Sequence, residues 1–395
     1  MTATTARPTI EDLVERTREL LPRVTERANQ AEALRRMPDE TIDDLREAGL
    51  FLPFVPARYG GYEMDYGPVQ IAISGELGRA CGSTSWVQSV LACHAWVVGM
   101  FPQAAQDAVW SHDPNTIVAS AFAPSTGTTQ ELEGGYLLDG VWQFSSGVDA
   151  AEWLLPMMVV RSDERVRLYF GLVHRKDWQV LDTWHAAGLR GTGTNDVRIT
   201  RAFVPHDFAL DVTVLDGRPT PGSALSDSHI YRLPLWTLFG FNIGVPALGI
   251  ARGAVEAYIQ QTAARADNPT AHGKHARIAE SAADVDAAQA LLQADADLIT
   301  RLGRQGQTQY PLPQRTRFHR DLAYAVLLCA RAVDRLSVSV GAHNVGDDNP
   351  VHRASRDVHA VANHTGLQWD TYAELFGRVA SGLEPVQRRA FPIPI

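Results

Sequence analysis

The stretch GGYLLDGVWQFSSG, residues 134–147, marks the point where the hydrophobic pattern of the chain changes from a helical period to a strand period. Apolar and polar residues alternate through it, and Gly, Asp and Ser bound it, which is typical of β-strands. Three further runs of this kind follow: WLLPMMVVRS (153–162), RLYFGLVHR (167–175) and DVRITRAFVP (196–205). Together they predict a β domain over residues 115–228.

The regions on both sides of this β domain have helical patterns. In residues 1–114, TIEDLVERTRELLPRVTERANQAEAL (9–34) has apolar residues at helical spacing, and residues 67–101 are apolar almost all round, as in buried helices. Residues 229–395 predict an antiparallel four-helix bundle. Its helical segments lie near 234–266, 274–305, 313–342 and 350–379.

Composition disfavours several classes of partner. The chain has 395 residues and a formal net charge of −9, without a basic block, which argues against nucleic acid and anionic membranes. Its three cysteines form no C-x-x-C pair, and the N-terminus lacks an apolar signal region. The apolar run FGFNIGVPALGIA (239–251) is short and interrupted by Gly and Pro, so we predict no membrane span and a cytoplasmic location.

Four motifs carry a resemblance to a known family. CGSTSWVQSVLACHAWVVGMF (81–101), GVWQFSSGVDAAEW (140–153), DTWHAAGLRGTGTND (182–196) and RDVHAVANH (356–364) resemble, in this order, flavin-dependent monooxygenases built on the acyl-CoA dehydrogenase fold. These are oxygenase components of two-component systems that hydroxylate phenols. The resemblance implies an α+β fold with an N-terminal helical domain, a central β-barrel or sandwich domain and a C-terminal four-helix bundle.

The resemblance also implies a cofactor and its contacts. The expected cofactors are reduced flavin, FMNH2 or FADH2, and molecular oxygen, which form a flavin C4a-hydroperoxide. A serine of the SSG turn is expected beside flavin N5, although S-S-G also suits a plain polar turn. A glycine-rich loop allows close approach of the backbone to the ring. The expected cofactor-binding residues are Trp86, Ser145, Ser146, Trp184, Thr194, Asn195 and Arg317, the last from a neighbouring subunit.

The catalytic and substrate-binding residues are implied in the same way. The expected catalytic residues are His364, Ser146 and His94, with His364 as the base that accepts a phenol proton. The expected substrate-binding residues are His94, Phe239, Phe241, Asn242 and His364. Buried histidines and tryptophans are also ordinary core residues, so each role competes with a purely structural one.

The stretch NPVHRASRDVHAVANHTG, residues 349–366, predicts one helix over 350–365. Asn349 suits the N-cap, Pro350 the first turn and Gly366 the stop. The helix would point Asp357 and His364 inward, with Asp357 in a structural salt bridge. Histidines seven positions apart on a helix are separated by about 10.5 Å, too far for one ion, so no metal is predicted.

The alternatives are other flavoenzymes and a non-enzyme. An acyl-CoA dehydrogenase needs a carboxylate base, but the first bundle helix has none before Glu256. An acyl-CoA dehydrogenase-like or N-oxidising flavoenzyme and a cofactor-free helical scaffold or binding protein stay as the alternatives. The segment GTGTND (191–196) is not a dinucleotide fingerprint, so we expect a separate NAD(P)H flavin reductase as partner. A small aromatic substrate and a homo-oligomer, most simply a tetramer, complete the predicted partners.

Overall fold

The computed structural model describes residues 7–161, 165–264, 272–341, 346 and 348–385. In the sequence, helices precede and follow the strands of a central sheet. The first helix begins at a capping box in which the side chains and backbone N–H groups of Thr9 and Asp12 bond reciprocally. The helices are α1 Ile10–Leu34, α2 Asp39–Glu47, α3 Tyr66–Ala80, α4 Gly82–Val98, α5 Gln103–Trp110, α6 Leu235–Leu238, α7 Gly240–Ala263, α8 His272–Arg304, α9 Leu312–Ser337, α10 Pro350–Ala362 and α11 Trp369–Ala380.

The strands of the middle region form one mixed sheet of ten strands. They are β1 Val118–Ala121, β2 Ala123–Pro124, β3 Thr128–Leu132, β4 Gly135–Ser145, β5 Trp153–Arg161, β6 Val166–Gly171, β7 Val173–His174, β8 Trp178–Leu181, β9 Asn195–Pro205 and β10 Ala209–Asp211. The strand order is β10-β6-β5-β3-β4-β9-β8. Strand β4 lies within the opening stretch and pairs antiparallel with β9, with Ser145 opposite Asn195.

The element order and the sheet are those of the predicted acyl-CoA dehydrogenase-like fold. Described α-helices precede residue 111, described strands occupy 118–211, and α-helices resume at 235. The predicted domain boundaries at 114 and 228 stay predictions, although a 3-10 helix, His229–Arg232, begins directly after residue 228.

The last predicted bundle segment, 350–379, is two helices instead of one. Asn349 caps α10 as expected, and its side-chain oxygen accepts the N–H of Val351 at 2.9 Å. The helix ends at Ala362, so the prediction of a helix through 365 is wrong at its C-terminus. The N–H of Gly366 donates to Nδ1 of His364 at 3.1 Å instead of to a helical carbonyl. That bond is incompatible with one more helical turn and leaves His364 in the α10–α11 connection.

The apolar run near residue 240 is longer than the sequence suggested. Leu235–Ala263 is long and apolar enough to cross a membrane by length and composition alone. However, 83% of its most apolar window is buried inside the protein. The run, which comprises α6 and α7, therefore belongs to the core of this fold.

Helix α7 is packed directly against the N-terminal region. A Cβ added to Gly78 of α3 would lie 2.7 Å from the Cα of Gly249 in α7, so the two helices cross with their backbones in contact. Cys81 alone separates α3 from α4, whose residues are all buried. This packing fixes α4, which carries Trp86 and His94, between the sheet and the bundle.

Candidate active site

Three side chains from three separate segments meet at the end of strand β4. The indole N–H of Trp86 donates to Oγ of Ser146 at 3.0 Å. Oγ of Ser146 is also 2.8 Å from Oγ1 of Thr194, in the loop before β9. Gly147 follows with a φ of +68°, which favours glycine and turns the chain away after the serine. The structure therefore brings Trp86, Ser146 and Thr194 together.

The loop before β9 is held by its own side chains. Oδ1 of Asn195 accepts the backbone N–H groups of Thr183 at 3.0 Å and Trp184 at 2.9 Å. The indole N–H of Trp184 in turn donates to the carbonyl oxygen of Leu189 at 3.0 Å. Asn195 and Trp184 were both expected at the cofactor. In this structure both of them also determine the shape of the loop that carries Thr194.

The adjacent serines have different surroundings. Ser145 is the last residue of β4 and is fully buried, and its hydroxyl oxygen has no partner among the described residues. Ser146 lies outside the strand and takes part in two hydrogen bonds. Ser146 is therefore the serine that the neighbouring motifs hold in one orientation.

His364 lies against the same tryptophan. The ring centroids of Trp86 and His364 are 5.9 Å apart. Burial lowers the pKa of His364 to about 4, so its ring is neutral at working pH. Because a backbone N–H can only donate, the bond from Gly366 requires an unprotonated Nδ1. The neutral ring therefore carries its proton on Nε2.

His94 has the opposite tautomer. Its Nδ1 is 2.8 Å from the carbonyl oxygen of Val118, which can only accept, so Nδ1 carries the proton. Its Nε2 consequently has a free lone pair. The side chain is buried, and this burial lowers the pKa of His94 to about 4.

An aromatic cluster adjoins His94. The ring of Phe122 contacts the rings of His94 at 6.3 Å, Phe170 at 4.7 Å and Phe239 at 5.6 Å between centroids. Phe239 was expected at the substrate, whereas Phe122 and Phe170 were not among the expected residues. The alternation of ASAFAP (119–124) offered a weak signal, because a phenylalanine in a short strand is more often plain core.

The two other expected substrate residues lie on α7 and are both buried. Phe241 is 1% exposed. Asn242 is fully buried, and neither its side-chain oxygen nor its nitrogen has a partner among the described residues. A buried amide without partners is costly, so a polar group of a ligand would relieve it.

Arg317 lies apart from these residues, between α8 and α9. It forms ion pairs with Asp295 and Asp321, two residues that are each 2% exposed. Burial, with the nearby Asp321, raises the pKa of Asp295 to about 7. The expected contact of Arg317 with flavin phosphate of a neighbouring subunit stays a prediction, and within its own chain Arg317 neutralises buried acids.

Among the residues that the structure describes, Asp357 has no salt-bridge partner, so the expected ion pair is not found there. Its carboxylate accepts the backbone N–H of Leu189 at 2.6 Å, while the guanidinium group of Arg356 pairs with Glu32 and that of Arg353 with Asn29. The physical reason is the orientation of α10, which turns Asp357 toward the loop before β9 and the two arginines toward α1. Burial, with the nearby Glu32, raises the pKa of Asp357 to about 7.

The site suits a flavin better than a metal. Among the residues that the structure describes, no group of three or more His, Cys, Asp or Glu side chains could hold a metal ion. Gly147 and Gly193 both have positive φ angles beside Ser146 and Thr194, and a glycine backbone permits close approach of a flat ring. Ser146 has one hydrogen-bonding position left for a cofactor atom. Fold and site thus define a flavoenzyme of the acyl-CoA dehydrogenase class.

Comparisons with known proteins narrow this class. The acyl-CoA dehydrogenase N-terminal domain matches residues 7–112 and the acyl-CoA dehydrogenase C-terminal domain matches residues 241–369. The oxygenase subunit HsaA of a flavin-dependent monooxygenase of Mycobacterium tuberculosis is 33% identical over 93% of this chain and 94% of its own. The crystal structure of that HsaA superposes with a TM-score of 0.90, covering 96% of this chain and 99% of its own at 32% identity.

Two further proteins resemble this chain over nearly its whole length. The oxygenase component of p-hydroxyphenylacetate 3-hydroxylase from Acinetobacter baumannii is 32% identical over 94% of this chain and 90% of its own. XiaF from Streptomyces, solved in complex with FADH2 and glycerol, superposes with a TM-score of 0.87 at 26% identity, covering 96% of this chain and 97% of its own. The chain belongs to the oxygenase components of two-component, flavin-dependent aromatic monooxygenases, and its cofactors are reduced flavin and oxygen.

Proposed function

We propose that this oxygenase hydroxylates a small phenolic substrate between the Trp86–Ser146–Thr194 cluster and the aromatic cluster around Phe122. The observation that carries the proposal is that Trp86 contacts both Ser146, by a hydrogen bond, and His364, by its ring. Reduced flavin, when bound, supplies electrophilic oxygen from O2 through the predicted C4a-hydroperoxide. Ser146 would lie at flavin N5, and the phenylalanine rings would hold the substrate ring.

A histidine is the proposed base that accepts the proton of the phenol. We propose His364 as the base, because it adjoins Trp86 and is neutral. To accept a proton on Nε2, its ring must move its own proton to Nδ1 and give up the N–H of Gly366. His94 is the second candidate, because its Nε2 lone pair is already free. Substituting each histidine separately distinguishes the two.

A dehydrogenase reaction is disfavoured by the placement of the acids. Glu256, the first carboxylate of α7, forms an ion pair with Arg79 of α3 at 2.9 Å. Asp357 is bound to the N–H of Leu189. Neither carboxylate is therefore free to remove a proton from carbon. An intact hydrogen-bonded cluster around Ser146 likewise disfavours a cofactor-free scaffold.

The predicted surroundings of the enzyme form part of the proposal. A separate NAD(P)H flavin reductase would supply reduced flavin in the cytoplasm. The chain would assemble into a homo-oligomer, most simply a tetramer, through bundle helices. Tyr324 and Leu327 of α9 support this, since both are 38% exposed and three positions apart on one helix face. Sedimentation of a monomer at micromolar concentration would contradict the assembly.

A reconstituted assay tests the function. The purified chain is mixed with free FMN or FAD, an unrelated flavin reductase and NADH, and a panel of phenols is screened for hydroxylated products. The expected result is product formation that requires both the reductase and the chain. Binding of neither reduced nor oxidised flavin would refute the proposal. Steady NADH oxidation by the chain without reductase would refute the two-component arrangement.

A further inference from the structure

A chain of hydroxyl groups runs from Ser146 to a backbone carbonyl. The hydroxyl of Thr192 lies 2.8 Å from the carbonyl oxygen of Leu189. A carbonyl oxygen can only accept, and a threonine hydroxyl has a single proton. The proton of Thr192 is therefore committed to Leu189.

Because the proton of Thr192 is committed, the direction of every other hydrogen bond in this chain of hydroxyl groups is determined. The hydroxyl oxygens of Thr192 and Thr194 are 2.6 Å apart, so Thr194 must donate to Thr192. The hydroxyl oxygens of Thr194 and Ser146 are 2.8 Å apart, so Ser146 must donate to Thr194. The indole N–H of Trp86 also donates to Ser146. With its proton and one lone pair in use, Ser146 keeps a single lone pair and can only accept.

We propose that Thr192 and Thr194 are positioning residues that make Ser146 an obligate hydrogen-bond acceptor and so select reduced over oxidised flavin. The inference rests on the proposed place of Ser146 at flavin N5. In reduced flavin N5 carries a hydrogen, which an acceptor can bind. In oxidised flavin N5 is itself an acceptor, so two lone pairs would face each other.

Burial keeps this direction fixed. Thr192 is 1% exposed and Thr194 is 8% exposed, which leaves little room for water to supply alternative partners. The carbonyl group of Leu189, where the chain of hydroxyl groups ends, is also held, because it accepts the indole N–H of Trp184 at 3.0 Å. The N–H of the same residue, Leu189, is bound to Asp357.

Two substitutions test the proposal through binding alone. Thr194→Val removes the acceptor of the Ser146 proton, which can then turn toward flavin. Thr192→Val frees Thr194 to donate to Ser146, with the same result. In both variants the ratio of the Kd for oxidised flavin to the Kd for reduced flavin should fall by about tenfold, chiefly through tighter binding of oxidised flavin. Each Kd is measured by anaerobic titration at one pH.

The controls are matched in chemistry and in position. Thr194→Ser keeps the hydroxyl and should keep the parent ratio. Thr183→Val makes the same change in the same loop, but the hydroxyl of Thr183 contacts Leu181 and Asp196 and is not part of the chain of hydroxyl groups. It should also keep the parent ratio. Unchanged ratios in Thr194→Val and Thr192→Val would overturn the inference, whereas a parent that binds no flavin would refute the proposed function itself.

A second measurement does not depend on the folding of any variant. Reduced flavin labelled with ¹⁵N at N5 is bound to the parent protein and its N5–H resonance is recorded. A hydrogen bond to Ser146 predicts a downfield proton shift relative to free reduced flavin. An N5–H resonance at the position of free flavin would overturn the inference even if the valine variants fail to fold.

Discussion

The carboxylate of Asp357 accepts the backbone N–H of Leu189 at 2.6 Å across 168 positions of sequence. Helix α10 thereby holds the loop that carries Thr192 and Thr194, and seven residues after Asp357 the chain reaches His364. The ring of His364 contacts Trp86, which is bonded to Ser146. Helix α10 thus links the expected catalytic histidine to the expected flavin loop.

Replacing Asp357 by Asn should make stability less dependent on pH. The pKa of Asp357 is about 7 in the folded chain and near 3.9 in an unfolded one, so between these values the folded state binds more protons. Its contribution to stability therefore decreases as pH rises from about 4 to about 7, by at most ~1.4 kcal/mol per pH unit, and is constant above. Asn cannot ionise, but its amide oxygen can still accept the N–H of Leu189.

The measurement is urea unfolding of parent and variant across this pH range. The stability of Asp357→Asn relative to the parent should rise with pH up to about 7. Asp295 titrates in the same window, so only the difference between the two proteins is informative. Asp357→Leu, which removes the acceptor, should be less stable than Asp357→Asn and should weaken flavin binding. A difference that does not vary with pH would show that Asp357 is charged throughout.

Replacing Phe122 by Leu should weaken binding of the aromatic substrate but not of flavin. Phe122 contacts the rings of Phe170 and Phe239, and an aromatic pair contributes roughly 0.5–1.5 kcal/mol. We expect the KM for substrate to rise by about two- to tenfold with the flavin Kd unchanged. Phe208→Leu is the control, because Phe208 is similarly half-buried but packs against Trp153. Equal effects of the two substitutions on KM would place Phe122 outside the substrate site.

Replacing Arg317 by Met should destabilise the fold. Removing Arg317 deprives the buried carboxylate of Asp295 of a cation, and because Arg317 itself is partly exposed we expect a cost of about 3 kcal/mol, at the lower end for a broken buried pair. Adding Asp295→Asn should restore part of the loss. Arg167→Met, in an exposed pair with Glu131, should cost no more than ~1 kcal/mol by urea unfolding. Weaker flavin binding at unchanged stability would instead support the predicted phosphate contact.

The sequence predicted the fold and the motifs of the site better than the contacts between them. The order of motifs was enough to expect Trp86, Ser146 and Thr194 in one place, because each lies in a motif of the resembling family. The partner of Asp357 could not be predicted, since a bond to a loop amide leaves no pattern in the chain. The end of α10 was misplaced for a similar reason, because propensity does not reveal the bond between Gly366 and His364.

Replacing His364 by Ala should separate oxygen activation from hydroxylation. The variant should still bind reduced flavin, because Ser146, Trp86 and Thr194 remain bonded to one another. Without the base, transfer to the phenol should slow by ~10²-fold or more, and most oxygen should leave as hydrogen peroxide. Since the pKa of His364 is about 4, the parent rate should show no histidine ionisation between about pH 6 and 9. Product and peroxide yields per NADH, measured beside His94→Ala, test this assignment. If His364→Ala hydroxylates as fast and as tightly coupled as the parent while His94→Ala fails, His94 is the base.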